Sequence, residues 1–166
     1  MDFSFCPKCG GRLITKKLDH LPRLACDACE FVFYQTSKPT ASAIITDHKR
    51  ILLGKRRGDP RKGCWDIPGG FLEEGEHPEE GLRREMNEEL GVEIEIIKFL
   101  GIFMDRYGPE SDEHTLNIYY LVNILGEPRE LDDLIGLQWF SVDSLPEDIA
   151  FENIREALEV WKNSLR

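Results

Sequence analysis

Three glutamates that lie close together in the sequence have the spacing of a metal-binding cluster. Glu85, Glu88 and Glu89 are three and four positions apart, so a helix would place their carboxylates on one face. Like charges at this spacing repel by roughly 0.2–0.5 kcal/mol per pair. A hard cation such as Mg²⁺ removes that repulsion, takes oxygen ligands and shares its shell with substrate phosphates. The chemistry available to the cluster is therefore metal-assisted hydrolysis of a phosphate compound.

The surrounding residues predict the helix that would position these carboxylates. Pro78 suits the first helical position, where its missing N–H costs nothing, and Gly91 suits the left-handed residue that ends a helix. Between them, Leu82, Met86 and Leu90 recur every fourth position. They form one apolar face, which we expect to pack on a sheet.

A solvated, charged helix surface is the alternative interpretation of the glutamates. Arg84 lies four positions from both Glu80 and Glu88, so ordinary ion pairs could form along the helix. A wider pattern favours the metal site. Residues 70–92 read GFLEEGEHPEEGLRREMNEELGV, which fits G-x5-E-x7-R-E-U-x-E-E-x-G-U, where U is bulky and apolar. This segment resembles the box of the Nudix hydrolases at every position, and the flanking WDIPGG and LQWFSVDSLPE also resemble that family.

The resemblance implies a role for each residue type of the box. The three glutamates would bind Mg²⁺ or Mn²⁺, and one of them would also act on the attacking water. The backbone carbonyl of Gly69 would be a further ligand, while Glu76 and Arg84 would hold the preceding loop onto the helix. The family places one more catalytic carboxylate in a later loop. The sequence does not choose among the candidates, which are Glu110, Asp112, Glu113, Glu127, Glu130, Asp132 and Asp133.

Four cysteines have the spacing of a structural zinc site. Cys6, Cys9, Cys26 and Cys29 follow C-x2-C-x16-C-x2-C. Two disulfides would be the alternative in a secreted protein, but nothing in the sequence suggests export. Four thiolates leave no open coordination position, so the zinc should be structural. Cys64 is either a reactive thiol or a buried or half-buried residue, and we favour the second.

Charge and hydropathy exclude some classes of protein. The 166-residue chain has a formal net charge of −10, divided into +7 over residues 1–63 and −17 over residues 64–166. No apolar run approaches a membrane span and no signal peptide begins the chain, so we expect a cytoplasmic protein without a membrane partner. Residues 1–36 hold five basic and four acidic side chains. This near-neutral segment argues against a nucleic-acid partner.

The order of apolar segments predicts a mixed α/β protein in two parts. Residues 1–36 form a small zinc ribbon, and residues 37–166 form a second domain of alternating strands and loops with a terminal amphipathic helix. The family resemblance identifies this second domain as a Nudix hydrolase domain, an α/β/α sandwich with a curved mixed sheet. By family analogy, the ribbon is expected to support a homodimer.

The resemblance also implies the reaction, the hydrolysis of a nucleoside diphosphate linked to another moiety. A ribbon before such a domain resembles the NADH pyrophosphatases and a smaller group that acts on ADP-ribose or FAD. The NADH type carries SQPWPFPxS after its box, and this chain has nothing like it after Val92. We therefore expect a small-molecule dinucleotide such as ADP-ribose or FAD. The alternatives are a nucleoside triphosphate pyrophosphatase and a non-catalytic nucleotide sensor.

Substrate contacts must come from residues outside the box. The basic excess of the first part of the chain lies in residues 49–62, where it would either recruit phosphates or keep a hairpin soluble. Arg56 and Arg106 are candidate phosphate contacts. Trp65, Phe71, Phe103 and Tyr107 are candidates for stacking a base, although each could equally pack in the core.

Overall fold

The computed structural model describes residues 3–108 and 111–165, which form two compact units, Met1–Ser37 and Lys38–Arg166. The division predicted from the sequence, 1–36 and 37–166, stays a prediction. No helix within the described residues has the length and apolar content that crossing a membrane would require.

The first unit is a small antiparallel sheet with two cysteine-bearing turns. Its strands are β1 (Leu13–Leu18), β2 (Leu21–Cys26) and β3 (Val32–Phe33), in the order β1-β2-β3. The buried Cys6 and Cys26 form its small interior together with Ala25. So few buried apolar groups cannot stabilise about 37 residues alone, and a chain of this size usually needs a metal or disulfides.

The second unit alternates strands with two helices. In chain order its elements are β4 (Lys38–Asp47), β5 (Arg50–Arg56), β6 (Trp65–Asp66), β7 (Gly69–Phe71), α1 (Pro78–Leu90), β8 (Glu93–Arg106), β9 (His114–Leu125), β10 (Leu134–Ser141) and α2 (Glu152–Asn163). The described strands of this unit form one sheet in the order β10-β5-β4-β9-β8, with β6 beside β5 and β7 beside β4. The central pair, β4 and β9, is parallel, and the other pairs are antiparallel.

The sheet carries a core on each face, because successive side chains of a strand point to opposite sides. On β4, Ile45 belongs to the cluster that includes Leu82 and Met86 of α1. Its neighbour Ile44 belongs to the cluster that includes Trp161 of α2. The two helices therefore cover opposite faces, which confirms the predicted sandwich of mixed α/β class.

Helix α1 begins and ends where the sequence predicts. Pro78 occupies its first turn, and the His77 side chain accepts a hydrogen bond from the Glu79 N–H at 3.3 Å. Gly91 ends the helix with φ 66°, a left-handed value that glycine adopts without strain. Strand β7 precedes the loop that leads into the helix, and one long strand, β8, follows it.

Candidate functional site

The three glutamates of the box open onto one cleft in the second unit. The cleft has a volume of about 440 Å³, and its walls include Glu85, Glu88 and Glu89. Gly69 and Gly70 of β7 also line it. Helix α1 and strand β7 thus bring together the four backbone and side-chain positions that the resemblance names as metal ligands.

Glu89 is the most enclosed of these carboxylates, being 8% exposed. Its Oε2 accepts a hydrogen bond of 2.9 Å from the Gly69 N–H, which links α1 to β7. The pKa of Glu89 is raised to about 8, mainly by burial; the hydrogen bond from Gly69 opposes this rise, and the charges of Asp66, Glu85 and Asp133 contribute to it. Burial also raises the pKa of Glu85. The site therefore concentrates negative charge that a cation would neutralise.

Arg84 holds the loop before α1 in place through several hydrogen bonds. Its guanidinium donates two hydrogen bonds of 2.9 Å to the two carboxylate oxygens of Glu76 and one of 3.1 Å to the Phe71 carbonyl. Glu76 in turn accepts from the Glu73 N–H at 2.9 Å. The hydrogen bonds from Arg84 lower the pKa of Glu76 to about 2. A bidentate pair of this kind fixes orientation as well as distance.

The same guanidinium gathers two of the glutamates around one positive charge. Arg84 Nη1 donates to Glu85 Oε1 at 2.7 Å and to Glu88 Oε2 at 3.0 Å. Glu85 and Glu88 therefore lie on one side of the helix with their oxygens within reach of a shared cation. The Arg84–Glu88 ion pair is also the one that a solvated helix surface predicts, so the cleft beside the three glutamates is what favours the metal site.

Gly70 leaves room for the Glu85 carboxylate. A β-carbon at position 70 would lie 2.4 Å from the Glu85 carboxyl carbon, which is far inside van der Waals contact. Gly69 has φ +146°, and a β-carbon there would lie 2.3 Å from the Ala41 carbonyl oxygen. Both glycines allow the β7 backbone to approach the glutamates and β4 closely.

The cleft is also lined by a half-buried ion pair and by aromatic rings. Arg56 Nη1 donates to Asp66 Oδ2 at 2.6 Å, and Arg56 Nε donates to the Pro60 carbonyl at 2.8 Å. Burial raises the pKa of Asp66, although the adjacent guanidinium opposes that shift. The Arg56 guanidinium also lies 5.1 Å from the ring centre of Phe151. The sequence did not indicate Asp66 or Phe151 as cleft residues, because their approach depends on the fold.

Four of the six predicted substrate contacts lie at this cleft. Arg56, Phe71, Arg106 and Tyr107 line it. Phe103 does not, and its ring packs edge-on against Tyr119 with centroids 5.6 Å apart. Trp65 is outside the residues that line it. Its ring packs edge-on against Phe140, with centroids 4.9 Å apart, in the core beneath α2. The structure therefore places Trp65 in the packing role that was its alternative.

Two of the candidate late carboxylates reach the cleft. Asp132 and Asp133, just before β10, line it. The Arg57 N–H donates to the Asp133 carbonyl at 2.8 Å, and the Leu131 N–H donates to the Glu89 carbonyl at 3.0 Å, so this loop is tied to β5 and to the end of α1. Four candidates lie elsewhere in the described chain, namely Asp112, Glu113, Glu127 and Glu130. Glu110 lies outside the described residues.

The four cysteines of the first unit converge on one point. Their sulfur atoms all lie within 4.8 Å of one another, and three of the separations are 3.5, 3.5 and 3.7 Å. Sulfur ligands of a tetrahedral zinc with bonds of about 2.3 Å would be about 3.8 Å apart. The Lys8 and Ala28 N–H groups donate to Cys6 Sγ and Cys26 Sγ, which gives both turns the same geometry. The donor set therefore fits a four-thiolate zinc.

Cys64 lies apart from that cluster. It is half-buried and packs against the core beneath α2. This placement agrees with the packing interpretation, and no role in the chemistry is assigned to it.

Known families match both parts of the sequence. Residues 36–160 match the family described as the NUDIX domain, and residues 4–35 match the family described as Nudix N-terminal. A crystal structure of a NUDIX hydrolase from Nitrosomonas europaea is similar with a TM-score of 0.77 and 25% identity, covering 97% of this chain and 93% of that one.

Curated relatives carry the names of pyrophosphate-cleaving enzymes. An ADP-ribose pyrophosphatase of Methanocaldococcus jannaschii is 33% identical over 142 residues, which are 82% of each chain. The NAD-capped RNA hydrolase NudC of Vibrio atlanticus is 30% identical over 148 residues, which are 86% of this chain and 51% of that protein. The chain thus spans most of the archaeal relative and about half the length of the NudC relative.

Proposed function

Because this chain belongs to the Nudix hydrolase family, we propose that it hydrolyses the pyrophosphate bond of a dinucleotide such as ADP-ribose or FAD and releases a nucleoside monophosphate. Membership of the family confirms the resemblance inferred from the box and makes the chain a hydrolase. The identity of the substrate is what we propose. Similarity to the archaeal ADP-ribose pyrophosphatase over 82% of each chain supports it.

One cleft holds both the carboxylates and the groups that a nucleotide needs, and this observation carries the proposal. Glu85, Glu88 and Glu89 line the cleft. Arg56 and half-buried aromatic rings, among them Phe71, line it as well. A pyrophosphate needs cations around its oxygens, and a nucleoside needs a flat apolar surface. A nucleoside diphosphate derivative has both parts, joined at the distance of one ribose.

We propose that Glu85, Glu88 and Glu89, with the carbonyl of Gly69, hold Mg²⁺ or Mn²⁺. The donor set fits, because hard oxygen ligands from three carboxylates are what these ions prefer, and the enclosed negative charge around Glu89 favours a cation. When bound, such an ion polarises a phosphoryl oxygen and makes water more acidic. The family is dependent on divalent metals, and the identity of the ion here belongs to the proposal.

The chain's own residues would orient the reaction. Gly69 N–H keeps the Glu89 carboxylate turned towards β7, where it can also accept a proton from the attacking water. Arg84, anchored by Glu76, keeps Glu85 and Glu88 on one side of α1. Such prepositioning costs the protein no rearrangement during the reaction.

We propose Asp133 as the additional carboxylate of the site. Asp133 lines the cleft, its charge acts on the carboxyl group of Glu89, and its backbone is anchored to Arg57. Asp132 also lines the cleft, but it is not among the groups whose charge acts on Glu89. A catalytic carboxylate must be held within reach of the other reacting groups.

In the first unit we propose a structural zinc held by Cys6, Cys9, Cys26 and Cys29, in a ribbon of residues 1–36 that precedes the hydrolase domain of residues 37–166. A closed four-thiolate site supplies folding energy rather than catalysis. Reduced thiolates favour a cytoplasmic location. The homodimer expected from family analogy stays a prediction.

A panel of substrates tests the proposal and its rivals. Purified protein with Mg²⁺ is incubated with ADP-ribose, FAD, NADH, NAD-capped RNA and nucleoside triphosphates, and the products are separated by chromatography. We expect ADP-ribose or FAD to give the highest kcat/KM, with AMP as a product. The names of the NudC relatives make NAD-capped RNA the second candidate. Release of pyrophosphate from triphosphates as the main activity, or no turnover of any compound, would refute the proposal.

A further inference from the structure

A pair of aromatic rings stands beside the ion pair in the cleft. The rings of Tyr107 and Phe151 are nearly parallel, with an interplanar angle of 16° and centroids 6.0 Å apart. Phe71 meets Tyr107 edge-on at 5.2 Å and 70°. Tyr107 and Phe151 are half-buried and line the cleft. Both rings are therefore within reach of a molecule in the cleft.

A buried polar network holds this ring pair in place. Phe151 is the residue immediately before α2, and Asn153 lies in the first turn of that helix. Asp105 Oδ2, at the end of β8, accepts hydrogen bonds from the Asn153 backbone N–H at 3.0 Å and from its side-chain Nδ2 at 2.9 Å. The Tyr119 hydroxyl donates to Asn153 Oδ1. Asn153 is 4% exposed, so the start of α2 is fixed to β8 and β9.

We propose that the Tyr107–Phe151 pair is the binding surface for the base of the nucleotide, and that Asp105 is the positioning residue that holds this surface through Asn153. The inference rests on the proposed function and specifies which part of the nucleotide lies where. Stacking on an aromatic ring favours any flat base. The Arg56 guanidinium lies 5.1 Å from the Phe151 ring centre and is paired with Asp66, so it leaves no unbalanced positive charge beside the rings.

Binding of monophosphates, which needs no turnover, tests the surface directly. The dissociation constants of AMP and ribose 5-phosphate are measured by calorimetry on the full chain with Mg²⁺. We expect AMP to bind at least about tenfold more tightly than ribose 5-phosphate, the scale of one stacked base. Equal affinities for AMP and ribose 5-phosphate in the wild-type protein would overturn the inference.

Ring substitutions separate stacking from packing. Phe151→Leu keeps an apolar side chain of similar size, and we expect it to reduce the preference for AMP over ribose 5-phosphate about tenfold, while Phe151→Trp keeps the preference. Phe99→Leu is the matched control, because Phe99 is an exposed ring on β8 that does not line the cleft. A preference that survives Phe151→Leu would show that the ring is only packing.

The KM and kcat of Asp105 variants test the positioning role of this residue. Asp105→Ala removes the oxygen that accepts both hydrogen bonds from Asn153, and we expect it to raise the KM for ADP-ribose about tenfold with a smaller change in kcat. Asp105→Asn retains a carbonyl acceptor and should restore the KM to within about threefold. A kcat loss equal to the KM change, or no rescue by Asn, would overturn this role.

The two proposals fail in distinguishable ways. If the protein hydrolyses ADP-ribose but AMP binds no better than ribose 5-phosphate, the base surface is refuted and the hydrolysis stands. If AMP is preferred and the preference depends on Phe151, but no dinucleotide is cleaved, the base surface stands and the proposed reaction is refuted.

Discussion

The carboxylate of Glu85 occupies the space beside the Cα atom of Gly70, so a side chain at position 70 would collide with it. A β-carbon on Gly70 would come within 2.4 Å of the Glu85 carboxyl carbon. The glycine of the box is therefore required by the position of a carboxylate fifteen residues later, and the backbone dihedral angles of Gly70 do not require it.

Adding a β-carbon at position 70 should reduce activity. Gly70→Ala should displace the Glu85 carboxylate by about 1 Å and reduce kcat about 100-fold, the scale of such a misplacement. Because the carboxylate is the free end of a side chain, we expect the melting temperature to change by less than about 4 °C. Gly58→Ala is the matched control, since Gly58 also lines the cleft but has open space around its Cα. Full activity in Gly70→Ala would contradict the role given to Glu85.

Removing the charge of Glu89 should stop catalysis without unfolding the protein. Glu89→Gln retains an oxygen that accepts from the Gly69 N–H, but it cannot take up a proton and is a poor metal ligand. We expect kcat at saturating Mg²⁺ to fall roughly 100-fold. Glu80→Gln, an exposed change on the same helix, is the comparison. A reduction below about threefold in Glu89→Gln would remove Glu89 from the mechanism.

The choice of Asp133 among the late carboxylates can be tested in the same assay. Asp133→Asn keeps the size of the side chain, and we expect kcat to fall by at least roughly tenfold. Glu130→Gln serves as the control, because Glu130 lies in the same acidic loop, is exposed and does not line the cleft. If Glu130→Gln lowers kcat more than Asp133→Asn does, the assignment of Asp133 as the additional carboxylate is wrong.

The Glu76–Arg84 pair predicts a dependence of stability on pH. The pKa of Glu76 is lowered from 4.5 to about 2 in the folded protein, so the folded state favours the ionised carboxylate. Its stabilising contribution is present above pH 4.5 and is lost as the pH falls towards 2. The difference in unfolding free energy between wild type and Glu76→Gln should shrink across this window. Glu74→Gln, in the same loop, is the control, and a constant difference for Glu76→Gln would be inconsistent with the pair.

Zinc removal should affect the first unit. One zinc per chain is expected by elemental analysis, and Cys26→Ser should lose it while Cys64→Ser retains it. Chelation should make residues 1–37 sensitive to protease, because few buried apolar groups remain to hold them. A wild-type protein without zinc, whose protease pattern is insensitive to chelators, would exclude a zinc ribbon.

The parts of the fold that the sequence predicts are those fixed by local chemistry. Pro78 and Gly91 set the ends of α1 because one lacks an N–H and the other tolerates positive φ. The cysteine spacing identifies its cluster because two C-x2-C turns suit one metal. The periodic apolar residues place α1 and α2 against the sheet.

The remaining parts of the site depend on contacts between distant segments. Asp133 could not be distinguished from the other carboxylates, because its approach to Glu89 depends on how the loop crosses the end of α1. Phe151 has the spacing of a core residue, and only the packing of α2 places its ring at the cleft. Trp65 is the reverse case, since its neighbouring motif suggested a substrate contact and the sheet directs it to Phe140.

The parallel pairing of β4 with β9 has a consequence for the timing of assembly. Thr40 and Asn117 meet across this pair, although they are 77 residues apart. Closing such a large loop is slow, so the centre of the sheet is completed late in folding. During synthesis, α1 emerges from the ribosome before β9, so it can form a helix before the sheet beside it is complete. A ribosome-bound fragment that stops short of β9 would therefore lack Thr115, Asn117 and Tyr119 of the cleft, which would be complete only once the final third of the polypeptide has been made.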